Sequence, residues 1–219
     1  MKAMTLRTGL LAAGAALIAI ASAQVSQSGS SYSMKMKWVK GKTYSYGMSY
    51  TVKMGESPRT SKASYSMTVK DVKNGIATVS AKANVPGVTN GETQTFKIDS
   101  SGKVVDGTSN VSVTTLPGKA VKVGDKWTAT RKLTQPMAMD LKSTYVFKGL
   151  KTVNGKKYAE IAETMSGKSG NITMSGTGTI LVDVADGMLF KLSNNAKLVM
   201  KQGSETQTLP VSSVVTRTK

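Results

Sequence analysis

The chain contains no histidine and no cysteine. Its reactive side chains are therefore carboxylates, hydroxyls, amines and thioethers. That removes the histidine general base, the Ser-His-Asp and Cys-His nucleophiles, the disulfide, and zinc or haem sites of the usual ligand types. Carboxylates are few, 12 Asp and Glu against 30 Lys and Arg. Glycosidase-type acid/base work needs two of them facing each other across a cleft. Glu160 and Glu163 fall on opposite faces of a strand and do not form such a pair. Asp99 and Asp183 both precede glycine turns, where an aspartate bonds nearby backbone amides. Asp183 and Asp186 alone fall short of the clustered oxygens that calcium requires. Lys168 and Ser169 are adjacent, so on a strand they diverge rather than form a dyad. These residues assign no catalytic group, no metal ligand and no cofactor, and the chain reads as a non-enzyme.

One segment imitates a phosphate-binding loop. Ala162-Glu163-Thr164-Met165-Ser166-Gly167-Lys168-Ser169 fits a relaxed A/G-x4-G-K-S/T pattern. A working loop of that kind needs a helix after it, whose first amides cradle the phosphate. Here Gly170-Asn171 follows, then alternating Ile172 and Met174, which is a turn between strands. Nucleotide binding is not expected. Met thioethers could take Cu(I), but no His or Cys is present to complete a site.

The remaining candidate is an apolar face. Tyr44, Tyr46, Met48, Tyr50, Val52 and Met54 alternate with Thr43, Ser45, Gly47, Ser49, Thr51 and Lys53. Alternation with a period of two is the signature of a half-buried strand, since successive side chains leave opposite faces of the pleat. Trp38, Tyr44, Tyr46, Met48, Tyr50 and Met54 are the candidate ligand-binding residues. Met is adaptable and suits irregular apolar pockets. The competing role for the same face is plain core.

The elements that would position this face are strands throughout. Met34, Met36 and Trp38 alternate with Lys35 and Lys37. Tyr65, Met67 and Val69 alternate with Ser64, Ser66 and Thr68. Asn74-Gly75 and Asn154-Gly155 are the dipeptides favoured in two-residue hairpins, because both residues tolerate positive φ. Asp99-Ser100-Ser101-Gly102 and Asp186-Gly187 mark further turns. No helical period appears beyond the amino terminus. An echo recurs after about 80 to 85 residues. Gly41–Ser45 parallels Gly124–Thr128, Asn74-Gly75 parallels Asn154-Gly155, and Thr95–Asp99 parallels Thr179–Asp183. Tandem duplication of one β unit leaves such a trace. Thr114–Gly124 is the expected crossover between halves.

The amino terminus carries an export signal. Lys2 and Arg7 give a positive n-region, Gly9 to Ala21 is apolar, and Ala21-Ser22-Ala23 is a small-x-small cleavage pattern. The organisation expected is 1–23 signal peptide, with a helical h-region, 24–33 flexible leader, 34–118 first β half and 119–219 second β half. No other apolar run is long enough for a helical span, so the mature chain is not expected to cross a membrane. It should be periplasmic or secreted. Its formal charge falls from +18 to +16 when Lys2 and Arg7 leave. Such a charge draws a protein toward anionic envelope polymers or lipids, and it also solubilises and protects sheet edges. Export and the dispersed lysines argue against nucleic acid.

Leu116-Pro117-Gly118, Val121-Lys122-Val123-Gly124-Asp125-Lys126-Trp127, Tyr145, Asn154-Gly155, Gly176-Thr177-Gly178-Thr179-Ile180, Asp183 and Gly187 resemble an uncharacterised bacterial family. Its members are exported β-rich proteins with a P-G-x-x-V-x-V-G-D-x-W segment and a later G-x-G hairpin. The resemblance implies fold and localisation and lends no chemistry. The fold expected is all-β: two related antiparallel meander halves forming curved sheets, a half-barrel or open clamshell. The function expected is that of a non-catalytic exported binding or structural protein. The alternative is a periplasmic carrier holding a lipid or other amphipathic ligand in a curved β groove.

Overall fold

The computed structural model describes residues 24–54, 57–84, 93–107, 114–133, 139–203 and 205–219, and the expected signal peptide, 1–23, lies outside them. The described residues form strands and connections only. A short hairpin, β1 (Val25–Ser28) and β2 (Ser31–Met34), precedes the main sheet. The first run of sheet strands is β3 (Thr43–Met54), β4 (Ser57–Lys73), β5 (Ile76–Asn84), β6 (Thr93–Ile98) and β7 (Val104–Asp106). The second is β8 (Lys126–Leu133), β9 (Met139–Val153), β10 (Lys156–Ser169), β11 (Ile172–Asp183), β12 (Leu189–Gln202) and β13 (Glu205–Arg217).

These eleven strands make one antiparallel sheet, ordered β7-β6-β5-β4-β3-β13-β12-β11-β10-β9-β8. The two runs join where β13 pairs with β3, through partners such as Val211 and Val52. The edge strands β7 and β8 do not pair with each other, so the sheet stays open rather than closing into a barrel. The Asn-Gly turns behave as their chemistry requires. Asn74 and Asn154 take φ of 51° and 50°, followed by Gly75 and Gly155 at 76° and 75°.

The 24–33 stretch differs from the expected flexible leader. Its composition is polar, but it is tied down at both ends of the hairpin. Val25 and Met34 are buried, the Gln24 and Val25 amides donate to the Val184 carbonyl, and Tyr32 exchanges two backbone bonds with Val121. Tyr32 also meets Phe147 edge-on, with ring centroids 4.9 Å apart. Residues 34–37 continue as a strap across the closed end of the sheet. The Met36 amide donates to the Ser100 carbonyl at 2.7 Å, and the Lys37 amide donates to the Asp186 carbonyl at 2.8 Å. Ser100 follows β6 and Asp186 follows β11, strands six places apart in the sheet order. A flat sheet would separate those strands by roughly 29 Å at about 4.8 Å per place. Two neighbouring residues bridge them, so the sheet must curl around the strap.

The base of this curl holds the core. Tyr44, Tyr46, Met67, Val69, Val79, Phe96, Ile98, Phe147, Ile161, Ile180 and Val182 are buried in one cluster with Met34, Met36, Leu116 and Val121. Both runs of strands contribute to that single cluster. Gly187 is buried where the strap crosses the β11–β12 turn. Its φ is +69°, and a side chain there would collide with the Lys35 carbonyl oxygen and stand 3.0 Å from the Met36 Cα. Only glycine satisfies both the turn and the close approach.

Candidate functional site

The core-facing side of the sheet is not uniform along its strands. On β13, Leu209, Val211 and Ser213 are half-buried and Val215 is buried, while the residues between them are exposed. On β11, Ile172, Met174, Gly176 and Gly178 are half-buried and Ile180 and Val182 are buried. On β3, Tyr44 and Tyr46 are buried and Met48, Tyr50 and Val52 are half-buried. Leu198 and Met200 of β12 continue the pattern. On these strands the face runs from a closed base to a half-open end where its apolar character continues, whereas on β9 and β10 Met139, Leu141 and Met165 stay buried at that end.

The sequence-predicted site residues divide along that gradient. Tyr44 and Tyr46 are each 1 % exposed and belong to the core. The Tyr44 hydroxyl donates to the Lys37 carbonyl at 3.1 Å, which ties β3 to the strap. The Tyr46 ring stacks on Tyr65 with centroids 4.7 Å apart, and neither hydroxyl has a hydrogen-bond partner. Burial pushes the Tyr44 phenol up to about 12, with the Asp186 charge adding to it. Burial likewise raises Tyr46 and Tyr65 well above the usual phenol value. Trp38 is half-buried against the core and donates its indole N–H to the Asp99 carbonyl at 3.0 Å. Met48 packs on the core edge, and Tyr50 stands beyond it. The backbone of Met54 pairs with Ser57, and its side chain lies outside the described residues. The structure thus places Tyr44, Tyr46 and Trp38 in or against the core. It leaves Met48 and Tyr50 at the start of the open end.

The carboxylates are largely committed to the fold. The Arg217 guanidinium spans two carboxylates. It donates to both oxygens of Asp186, at 3.0 and 2.9 Å, and to Asp183. Burial alone would lower its pKa, but the Asp186 charge and hydrogen bonds outweigh that and hold it above its usual value. Asp183 and Asp186 also accept from the Ala185 and Met188 amides, so the pair that hinted at calcium forms an arginine-clamped turn. Asp99 accepts from the Ser101 amide and hydroxyl and the Lys103 amide. Glu160 pairs with Lys151 at 3.3 Å, apart from Glu163. The phosphate-loop imitation is the end of β10 and its turn into β11. Among the described residues, no group of three or more Asp or Glu could hold a metal ion.

Sequence reading missed a polar band across the core-facing side. Register places Tyr50, Ser213, Asn194, Gly178, Glu163, Tyr145 and Trp127 side by side on seven successive strands. Glu163 is only 3 % exposed. The Arg131 guanidinium stands 3.5 Å from its Oε1, which accepts no hydrogen bond. Trp127 stacks on Tyr145, centroids 5.5 Å apart, and burial raises the Tyr145 phenol pKa.

On the strand positions between the core-facing ones lie two grooves. The larger, about 820 Å3, is bordered by exposed Thr164, Ser166, Ser175, Thr177 and Ser212 with Lys53 and Lys197. The smaller, about 640 Å3, lies beside Ser45, Ser64, Ser66 and Lys82. Both carry hydroxyls and lysines on a regular sheet surface, with none of the band's buried polar atoms.

Residues 93–189 match a family described as "Family of unknown function (DUF6263)". The Pro117–Trp127 segment and the Gly176–Gly187 hairpin both lie within that match. The crystal structure of the hypothetical lipoprotein YmcC from Escherichia coli (K12) aligns with a TM-score of 0.35 at 16 % identity, covering 80 % of this chain and 84 % of that one. No curated protein matches the chain.

Proposed function

We propose that this chain is an exported, non-catalytic binding protein that takes an amphipathic ligand on the open end of its core-facing sheet. The observation that carries the reading is the burial gradient on that face. Met48, Tyr50, Val52, Leu198, Leu209 and Val211 continue the apolar stripe of a closed core into a half-buried stretch. Apolar surface contiguous with a core yet left half-open is where an apolar ligand gains most by displacing water. The non-catalytic part is supported by carboxylates bound to arginine, lysines and turn amides. The export part is supported by Lys2, Arg7, the apolar run and Ala21-Ser22-Ala23. The lysines exposed on the strap, Lys35 and Lys37, fit approach to an anionic envelope surface.

Native mass spectrometry of protein purified from the exported fraction tests the reading, with solvent extraction of what is bound. The expected result is a co-purifying amphipath. It is lost in Tyr50→Lys and Leu198→Lys, while circular dichroism shows an unchanged β spectrum. A clean apo mass that persists after incubation with phospholipid vesicles and dodecyl-chain probes would overturn it.

A further inference from the structure

We infer that the polar band of Glu163 and Asn194 is a seat for a hydrogen-bond-donating head group, an alcohol or protonated amine, at the inner end of the open apolar face. This rests on the binding reading above and names the ligand chemistry that the face selects.

Four observations converge. First, buried polar atoms that complete no well-aligned hydrogen bond gather here: Glu163 Oε1, Asn194 Oδ1, Ser143 Oγ and Arg131 Nε, with the Tyr145 hydroxyl close to Ser143 and Glu163. Such atoms are uncommon in folded proteins, because a buried group that loses water without gaining a partner is strongly disfavoured. Glu163 and Ser143 are 3 % and 2 % exposed, so neither is a surface side chain. Second, these atoms lie on one face. Glu163 pairs in register with Gly178, and Gly178 with Asn194. Ser143 stands on the same face of β9, two residues before Tyr145, the cross-strand partner of Glu163. Third, the glycine makes room for an acceptor in the middle of the row. A methyl group at Gly178 would collide with Asn194 Oδ1, so that oxygen lies over the glycine, on the side toward Glu163. The two strands carrying Glu163 and Asn194 are about 9.6 Å apart at two strand spacings. Asn194 Oδ1 thus lies over the glycine beside Glu163, while Glu163 Oε1 stands 3.5 Å from the Arg131 guanidinium of β8. Fourth, the band occurs where the main core cluster ends. The row below it is Val215, Leu192, Ile180, Ile161 and Phe147, all buried, and the next row outward contains half-buried Val211 and Ala196 beside buried Met165.

The chemistry follows from the donor and acceptor inventory. A carboxylate oxygen and an amide oxygen only accept, so their complement is an O–H or N–H. Arg131 balances the Glu163 charge from one side, which lets the seat take a neutral hydroxyl as well as a cationic amine. A carboxylate or phosphate head group would be repelled by these two acceptors, and the donors beside them are the Ser143 hydroxyl and Arg131, whose charge Glu163 already balances. The whole-chain charge pulls the other way. A net +16 after loss of Lys2 and Arg7 favours anions at long range. Local seat and global charge therefore predict opposite preferences, and one measurement separates them.

The test compares 1-dodecanol, dodecylamine and dodecanoate, identical in chain length, by displacement of a fluorescent fatty-chain probe from the full mature chain. Wild type is expected to bind the alcohol and the amine about tenfold or more tighter than the carboxylate, the scale of one charge-assisted hydrogen bond. Glu163→Gln should remove that margin. By leaving Arg131 without its carboxylate, it should also shift the preference toward dodecanoate. Asn194→Ala, which removes the second acceptor and leaves the ion pair, should narrow the margin if Glu163→Gln does not fold. Equal binding of all three probes by wild type would overturn the seat and leave the amphipath reading standing. A preference that survives both substitutions would also overturn it, because the head group then sits elsewhere. Failure of any probe to bind overturns both.

Discussion

Gly187→Ala should destabilise the protein far more than Gly75→Ala, although both glycines sit at nearly the same positive φ, 69° and 76°. Each substitution forces an alanine into the left-handed region, which costs about 1–2 kcal/mol. Nothing stands within 4 Å of the Cβ position at Gly75, so that cost is the whole effect there. At Gly187 the new methyl would meet the Lys35 carbonyl oxygen, the Lys35 carbonyl carbon at 2.7 Å and the Met36 Cα at 3.0 Å. These are backbone atoms and cannot swing aside as a side chain would. The strap must lift by enough to strain its hydrogen bonds to Ser100 and Asp186, worth about 1 kcal/mol each. It must also loosen Met36, a buried side chain whose complete removal would cost about 2–5 kcal/mol. Beyond the shared backbone cost, Gly187→Ala should lose about 3–4 kcal/mol, a large part of the 5–15 kcal/mol typical of a folded domain. Guanidinium unfolding followed by far-ultraviolet circular dichroism gives both values. Hydrogen exchange at the Met36 and Lys37 amides shows whether the strap is what opens. Losses for the two variants within about 1 kcal/mol of each other would refute the strap as a packed element.

Other consequences are open to direct measurement. Arg217→Met should cost about 2–4 kcal/mol, because it strands two half-buried carboxylates that share one guanidinium, and a denaturant midpoint measures it. Alkaline titration should end in cooperative unfolding. Tyr44 is raised from 10.0 to about 12, and Tyr46 and Tyr65 are raised as well, so the folded state favours the neutral phenol. That stability is fully present below pH 10 and is lost as pH rises through about 12, and absorbance at 295 nm alongside circular dichroism tests whether the two changes coincide. Deleting residues 24–33 should lower the thermal midpoint by at least about 10 °C, since Val25 and the Tyr32–Val121 pairing go with them, whereas a free leader could be removed without effect.

The strands and several turns could be read from the sequence because their signals are local. Alternation of Tyr44, Tyr46 and Met48 with Thr43, Ser45 and Gly47 needs only the pleat, and Asn74-Gly75 needs only the geometry of two residues. The separation of Glu160 from Glu163 could be read for the same reason. What escaped depended on partners far along the chain. Arg217 meets Asp186 and Asp183 at separations of 31 and 34 residues, across a β12–β13 pairing that no local pattern announces. Residues 24–33 read as a leader because serines dominate their composition, while backbone bonds and the buried Val25 and Met34 fix the 25–34 hairpin. The polar band needed the full strand order, since its members come from strands β3 and β8–β13 and align only once register is fixed.

The pairing of β13 with β3 also governs when this molecule can finish folding. Val52 and Val211 are partners across 159 positions of chain, and the strap near the amino terminus bonds to Asp186. Contacts of such long range slow folding, because the intervening chain must be gathered before any of them forms. A ribosome or an export channel releases the chain from one end to the other. Until β13, Glu205–Arg217, emerges, β3 and β12 lack the strand that joins them. The architecture therefore delays its own completion, because its two runs of strands become one sheet only when this strand is in place.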